Sequence, residues 1–584
     1  MNNRPWRLTA LLVSVSVALA ACLVLLAEAP AHAQGREPAP VTDAMLLDPD
    51  PADWINWRRT LDGWGYSPLD QIDTGNADRL RLVWSWALSS EGRPEPNPLV
   101  YDGVMYIASP FDVVEALDAA TGEFLWRYRH EHVPDRIGGI VTTRNLAIYD
   151  DKVYLTTIDA HIVALDARTG AVVWNVEGAD HTLGFRYSAG PIVVRGKVIA
   201  STNGCERYHE AKEMPCFISA RDARTGEELW RTSTVARPGE PGGDTWGDTP
   251  LMFRIGGDSW TAGSYDPRTD LIYWATAQSK PWARFQRGHS GDALYTNSVL
   301  ALDPDTGSIV WYNQLLPGET HDMDETFENL LVDYDGQRSL FKMGKLAILW
   351  ELDRTTGRLL AAHDLGYQTI LDVDPRTGAI TYRPGMIPQE GVELTFCPSV
   401  AGFKSWRAMA YHPDTRAFYV PLIVSCERTT FGPGPERVEG GGGVGLSRRQ
   451  HLPHPLRPDG VGELVAIDVD GNVLWRHRTR TAIDSAALTT GGGLVVAGDW
   501  DRNLYVYDAR SGDILFRTRM PSSVSGFPIT YAVDGRQYLA IPVGTDPSLW
   551  SGISGQLTPE KNRPPVGGHA IFVFAVPDAW PAAH

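Results

Sequence analysis

The sequence predicts an all-β fold, an eight-bladed β-propeller with tryptophan-docking repeats. Three observations carry that prediction. A turn motif, Asp-x-x-Thr-Gly between two apolar stretches, recurs along the chain. Its copies are spaced like propeller blades. The chain also holds 20 Trp, 57 Gly and 41 Pro, a composition that favours short strands and tight turns over long helices.

In chain order the copies are ALDAATGEFLW from Ala116, ALDARTGAVVW from Ala164, ARDARTGEELW from Ala220 and ALDPDTGSIVW from Ala301. Weaker copies follow: ELDRTTGRLLA from Glu351, AIDVDGNVLW from Ala466 and VYDARSGDILF from Val506. In each, the Asp accepts backbone hydrogen bonds and the Gly supplies the φ > 0 position. The closing aromatic packs between neighbouring sheets. Successive aspartates lie 48, 56, 81, 50, 115 and 40 residues apart, which gives a base unit of roughly 40–50 residues. The two long gaps each contain a further strand pair, SYDPRTDLIYWAT from Ser264 and AYHPDTRAFYVPL from Ala410. The early RLVWSWAL and the late HAIFVFAVPD complete one blade together and close the ring of eight. Sites in such folds lie at one face of the central channel, on loops of different blades.

Residues 1–33 read as a cleaved secretory signal: Arg4 and Arg7, an apolar run, then small residues ending in Ala31-His32-Ala33. LAAC at Leu19–Cys22 leaves a lipoprotein reading open, against which the apolar run continues past the cysteine. Residues 34–584 form a single propeller domain, and no later segment is apolar enough to span a bilayer. The expected location is the periplasm, with no stable membrane insertion. With 21% charged and 43% hydrophobic residues the chain is globular, and its net charge of −18 argues against nucleic-acid binding. Four cysteines remain after the signal. In an exported protein they imply two disulfides with three possible pairings, of which proximity favours Cys205–Cys216 and Cys397–Cys426. No CxxC spacing occurs, and no CxxCH, so no covalent c-type haem is expected.

The tryptophan-closed repeats, with the opening WRRTLDGWGYSPLDQIDTGNADRLRLVWSW, resemble the quinoprotein alcohol dehydrogenases, which bind pyrroloquinoline quinone (PQQ). The resemblance covers about Trp54 to Phe574. GGDTWGD at Gly242–Asp248 looks like the family segment that supplies a flat floor under the quinone, so Trp246 is the implied stacking surface. TNGCERYHE resembles the segment whose Glu binds a metal beside PQQ, here Glu206. Asn203 and Ser188 fall at cofactor contacts, as do Glu95 in RPEPNP and Arg144 in VTTRNLAIY. Lys345 lies where the family places a cation next to the quinone oxygens, and Trp406 lines the opposite rim.

In THDMDETFENLLVD, Asp322 aligns with the family's catalytic base. Asp324 aligns with a position that is an aspartate in lanthanide-dependent members. Residues i and i+2 of an extended segment face one side, and two such carboxylates repel unless a strong positive charge lies between them. The implied metal ligands are therefore Glu206, Gln278, Asp322 and Asp324, for a lanthanide ion with Ca²⁺ as the alternative. Two departures stand out. Gln278 in WATAQSKPW replaces the family's Asn, and Gly138-Gly139 stand where many members carry adjacent cysteines. The resemblance implies oxidation of an alcohol to an aldehyde or ketone by hydride transfer to PQQ. Asp322 would take the proton, and the electrons would pass to a separate soluble cytochrome c. A homodimer is compatible with the sequence. The alternative from another class is a non-catalytic secreted propeller that acts as a binding or assembly scaffold.

Overall fold

A computed structural model describes residues 39–88, 92–132, 142–443, 445–545, 549–561 and 568–577. The signal at residues 1–33 and the Gly138-Gly139 pair lie outside the described residues. The fold is an all-β propeller. Seven sheets follow one another along the chain, over residues 99–129, 147–177, 192–233, 264–314, 330–364, 410–479 and 488–519. Each is antiparallel in its four main strands, and the last carries a fifth, Tyr66–Ser67, in parallel on Leu488–Thr490. An eighth sheet joins the two ends of the chain. Its outer strand Arg81–Ala87 pairs with Ala570–Ala575, which continues to Arg536–Val543 and Ile529–Val533.

The repeated turn explains the repeated sheet. The Asp118 carboxylate accepts the backbone N–H of Ala120 and Thr121 at 3.0 and 2.8 Å and the Thr121 hydroxyl at 2.9 Å. Asp166, Asp222, Asp303 and Asp353 do the same for their own turns. The following glycine is left-handed, as at Gly122 (φ 76°) and Gly170 (φ 71°). Six of the seven turns meet the tryptophan of the sheet before them, and the turn of Gly471 meets His363 instead. Trp84 Nε1 donates to Ala119 O (3.2 Å), Trp126 to Ala167 O (3.0 Å), Trp174 to Ala223 O (3.1 Å) and Trp230 to Pro304 O (3.0 Å). A Cβ on Gly122, Gly170 or Gly307 would fall inside the ring it faces. The glycine therefore serves the turn and the packing together.

The strand pairs from Ser264 and Ala410 belong to the same sheets as the turns at Asp303 and Asp468. The extra length of the two long gaps is loop and insertion. Residues 235–262 precede the fourth sheet. Glu393–Phe396, ahead of the sixth sheet, pairs with Ser425–Phe431 and through it with Leu446–Pro453, both inserted within that sheet, as a separate three-stranded sheet.

The segment entering each sheet is bonded to the entering segment of another sheet. Phe527 N donates to Pro96 O (3.0 Å), Asn97 N to Arg144 O (3.0 Å) and Gly190 N to Asn145 Oδ1 (2.9 Å). Arg144 then reaches Trp260 O, and Thr261 Oγ1 donates to Thr326 O (2.8 Å). Met409 N donates to Glu328 Oε1 (2.9 Å), Ala487 N to Ala408 O (2.9 Å) and Ala486 N to Gly526 O (2.9 Å). These bonds tie the entry segments to one another, and the candidate site is built on them. Among the described residues no helix is long and apolar enough to cross a membrane.

Candidate active site

Glu95, Arg144 and Ser188 each sit a few residues ahead of the first strand of their sheet, so three separate sheets bring them together. Arg144 Nε lies 2.6 Å from Glu95 Oε2, and Arg144 Nη1 donates to Ser188 O (3.2 Å), Ser188 Oγ (3.3 Å) and Trp260 O (2.9 Å). Asn203 Nδ2 donates to Ser188 Oγ at 2.8 Å. All four expected residues are buried. Buried charge of this kind persists only when paired, and Arg144 has Glu95 as its counter-ion. Asn203 Oδ1 is buried without a hydrogen-bond partner.

The expected floor, Trp246, is not in this site. It is fully buried in a small cluster with Val235, Ala236, Ala293 and Leu294. Its Nε1 donates to Leu294 O at 2.5 Å and its ring packs on His289. The insertion before the fourth sheet holds it there as a core residue. The tryptophan that faces the site is Trp260, fourteen positions later in GGDSWTAG. Its ring is only partly buried, its carbonyl holds Arg144, and the ammonium groups of Lys280 and Lys345 each lie 5.9 Å from its centroid.

Lys345 gathers the two aspartates. Its Nζ lies 3.0 Å from Asp322 Oδ2 and 2.6 Å from Asp324 Oδ2, and it donates to the Asp322 carbonyl at 2.7 Å. The segment is irregular, not a strand. Asp322 has φ 71°, and the Glu319 carboxylate accepts the N–H groups of His321 and Asp322. The two carboxylates converge because a lysine lies between them, and strand alternation has no part in it. Gln278 Nε2 donates to Asp322 Oδ1 at 2.5 Å, and its backbone N–H reaches Asp324 Oδ1 at 3.2 Å. Gln278 Oε1 is buried without a partner. Burial pushes the Asp322 carboxyl up, to about 8. Lys345 opposes that rise, and Asp324 adds to it.

Glu206 stands apart from this pair. Its Oε1 lies 2.8 Å from Lys280 Nζ, which is also 2.7 Å from Asp258 Oδ2. Burial works against the Lys280 charge, but Asp258 and Glu206 outweigh it and raise its pKa. Lys280 and Asp258, like Trp260, were missed from the sequence. Their signal exists only as a distance of 22 residues between an Asp and a Lys with no shared motif. Glu206, Asp322 and Asp324 do not form a trio whose carboxylate oxygens all lie within 4.8 Å of one another.

Trp406 is 2% exposed, packs on Phe527 and lies under the Arg407 guanidinium, 4.7 Å from its ring. Its indole N–H is buried without a partner. Both disulfides join the expected cysteines, with Cα separations of 5.6 Å for Cys205–Cys216 and 4.2 Å for Cys397–Cys426. The first closes the loop that carries Glu206. Replacing both Cys205 and Cys216 by alanine is expected to cost about 3 kcal/mol from loop closure, read as a lower denaturation midpoint with an unchanged slope.

Three kinds of comparison find relatives of the chain. Residues 54–362 and 455–539 match the family model described as PQQ: Glucose/ethanol/alcohol dehydrogenase, beta-propeller domain. Quinoprotein alcohol dehydrogenase PedH of Pseudomonas putida is 33% identical over 97% of both chains. Quinohemoprotein alcohol dehydrogenase ADH-IIG of Pseudomonas putida is 31% identical over 92% of this chain and 78% of its own. The solved structure of a europium-containing methanol dehydrogenase superposes with a TM-score of 0.82 at 26% identity, over 91% of this chain and 100% of its own. The chain belongs to the β-propeller family of PQQ-dependent glucose, ethanol and alcohol dehydrogenases, and it is an oxidoreductase.

Proposed function

We propose that the protein oxidises an alcohol to an aldehyde or ketone with PQQ in the channel of an eight-bladed, tryptophan-docked ring, in the periplasm. A separate soluble cytochrome c takes the electrons. One observation carries the reading: a partly exposed indole, Trp260, lies under two buried ammonium groups, with Asp322 hydrogen-bonded to one of them. A scaffold propeller has no use for charges buried in this way, since each is costly unless it serves a site.

The residues present fit PQQ. A flat, anionic quinone needs an aromatic face, cations and polar atoms with spare valence. Trp260 supplies the face, Lys345 and Arg144 the cations, and Asn203 Oδ1, Gln278 Oε1 and Trp406 Nε1 are buried atoms without partners. PQQ, when bound, accepts the two electrons and the hydrogen carried by the alcohol carbon. The chain does the rest. Trp260 holds the plane, and Lys345 places positive charge where negative charge develops. Asp322 takes the proton of the alcohol hydroxyl, and Gln278 and Lys345 fix its orientation.

The family also implies a metal ion, and Asp324 raises the expectation of a lanthanide, with Ca²⁺ as the alternative. The donor set does not fit either ion as it stands. Glu206 is occupied by Lys280, Asp322 and Asp324 are occupied by Lys345, and the three carboxylates do not converge. At about 4 Å and an effective dielectric near 20, each unit of charge on an ion costs about 4 kcal/mol against an ammonium. From that ammonium alone a divalent ion beside Lys280 would meet about 8 kcal/mol of repulsion and a trivalent one about 12 kcal/mol, set against attraction to Glu206 and Asp258.

The test is reconstitution with PQQ, followed by alcohol-dependent reduction of an artificial electron acceptor across primary, secondary and bulkier alcohols. Turnover with at least one class is expected. A protein that binds PQQ and reduces no dye with any alcohol refutes the reading.

A further inference from the structure

We propose that Lys280 is a built-in cation. Its ammonium takes the place beside Glu206 that the family gives to a metal ion, so this chain binds PQQ without a stoichiometric metal. The inference rests on the PQQ reading above.

Lys280 is not a surface lysine that happens to reach inward. It is buried, 2% exposed, and its Nζ bridges Glu206 and Asp258 at 2.8 and 2.7 Å. Both acids are themselves held. Asp258, 1% exposed, accepts the backbone N–H of Cys205 at 3.2 Å, directly before Glu206 in the chain, and the Cys205–Cys216 disulfide ties that loop. The backbone of Lys280 is fixed as well. It pairs antiparallel with Ile255, and Ser279 pairs with Gly256. Gly256 has φ 102°, and a Cβ there would collide with Gln278 O and the Lys280 backbone. The two main chains therefore press together at this lysine, which leaves only its side-chain torsions free.

The arrangement also shares the acids of the site between two lysines. Lys280 takes Glu206 and Asp258, and Lys345 takes Asp322 and Asp324. Each ammonium thus faces two carboxylates, and both ammonium groups lie 5.9 Å from the Trp260 ring. An anion laid on that ring lies beside two ammonium groups held in place by these carboxylates. A metal entering beside Glu206 would have to displace Lys280 from Asp258, a buried acid whose nearest ion-pair partner is that ammonium.

The experiment is a PQQ titration of the full-length purified protein, stripped of metal by a chelator. It is run in chelator alone, in Ca²⁺ and in La³⁺, and the metal content of the loaded protein is measured by mass spectrometry. The expected result is one affinity within about twofold in all three conditions and no stoichiometric metal. Lys280→Ala should weaken PQQ binding in chelator by about 10- to 100-fold, the worth of a charged hydrogen bond. Added Ca²⁺ or La³⁺ should restore it with one ion per chain. Lys280→Arg should keep binding metal-free. A wild-type protein that binds PQQ only with Ca²⁺ or La³⁺, and then holds one ion per chain, overturns the inference and leaves the PQQ reading standing. A wild-type protein that binds no PQQ in any of the three conditions overturns both. If Lys280→Ala does not fold, the wild-type metal content and chelator titration alone decide.

Discussion

Replacing Asp322 by asparagine is expected to abolish alcohol oxidation while PQQ stays bound. Asparagine keeps the size and one carbonyl oxygen of the side chain, so the contact with Lys345 survives. What it cannot do is take a proton. A positioned base contributes about 10²- to 10⁴-fold to rate, so kcat is expected to fall by that factor with little change in PQQ absorbance. Asp322 is placed for this role by local backbone. Its left-handed φ and the Glu319 carboxylate under its N–H hold it in position without a strand. Asp324→Asn is the informative partner. Asp324 is fully buried on Lys345, and breaking a buried ion pair costs about 3–5 kcal/mol. That variant should lose stability first and rate second. An Asp322→Asn protein that retains more than about a tenth of the wild-type kcat, well above the loss of a base, would remove Asp322 from the chemistry.

Trp260→Ala is expected to lose PQQ, and Trp246→Ala is not. A ring stacked on one indole face removes roughly 100 Å² of apolar surface from water, worth about 2.5 kcal/mol or about 70-fold in affinity. Trp246 instead fills a closed core and bonds to Leu294 O. Its loss should cost about 3–5 kcal/mol of stability, while the protein that remains folded binds PQQ as before. Titration of both variants, with thermal unfolding alongside, separates the two roles. Equal loss of PQQ affinity in the two variants would mean that Trp246 reaches the cofactor after all.

The repeat was legible in the sequence because its turn is local. An Asp that caps its own turn and a Gly that must be left-handed lie within five residues of each other, so every copy announces itself. The pairing of the chain ends could be read for the same reason, since seven complete copies leave one strand set unassigned. Glu95, Arg144, Ser188 and Lys345 stand out as motifs; Arg144 bonds Glu95 and Ser188, and Lys345 lies over the Trp260 ring. The floor tryptophan was not. GGDTWGD and GGDSWTAG are equally glycine-rich, and nothing local ranks Trp246 against Trp260. Position in the ring does. Trp260 precedes its sheet's first strand, Ser264–Asp266, by the same four residues that separate Glu95 from Leu99–Tyr101, Ser188 from Ile192–Val194 and Trp406 from Ala410–His412. Trp246 lies eighteen residues ahead, in an insertion.

By itself, then, the sequence determined the all-β propeller class, the turn chemistry and the two favoured cysteine pairs, and it named several of the residues gathered around Trp260. Those follow from patterns a few residues long repeated along one chain. Only the tertiary structure decided which tryptophan faces the site and what neutralises its acids. Lys280 finds Glu206 across 74 positions and Asp258 across 22. Coulomb attraction acts on distance in space, and no spacing in the sequence encodes which cation will stand beside a given carboxylate.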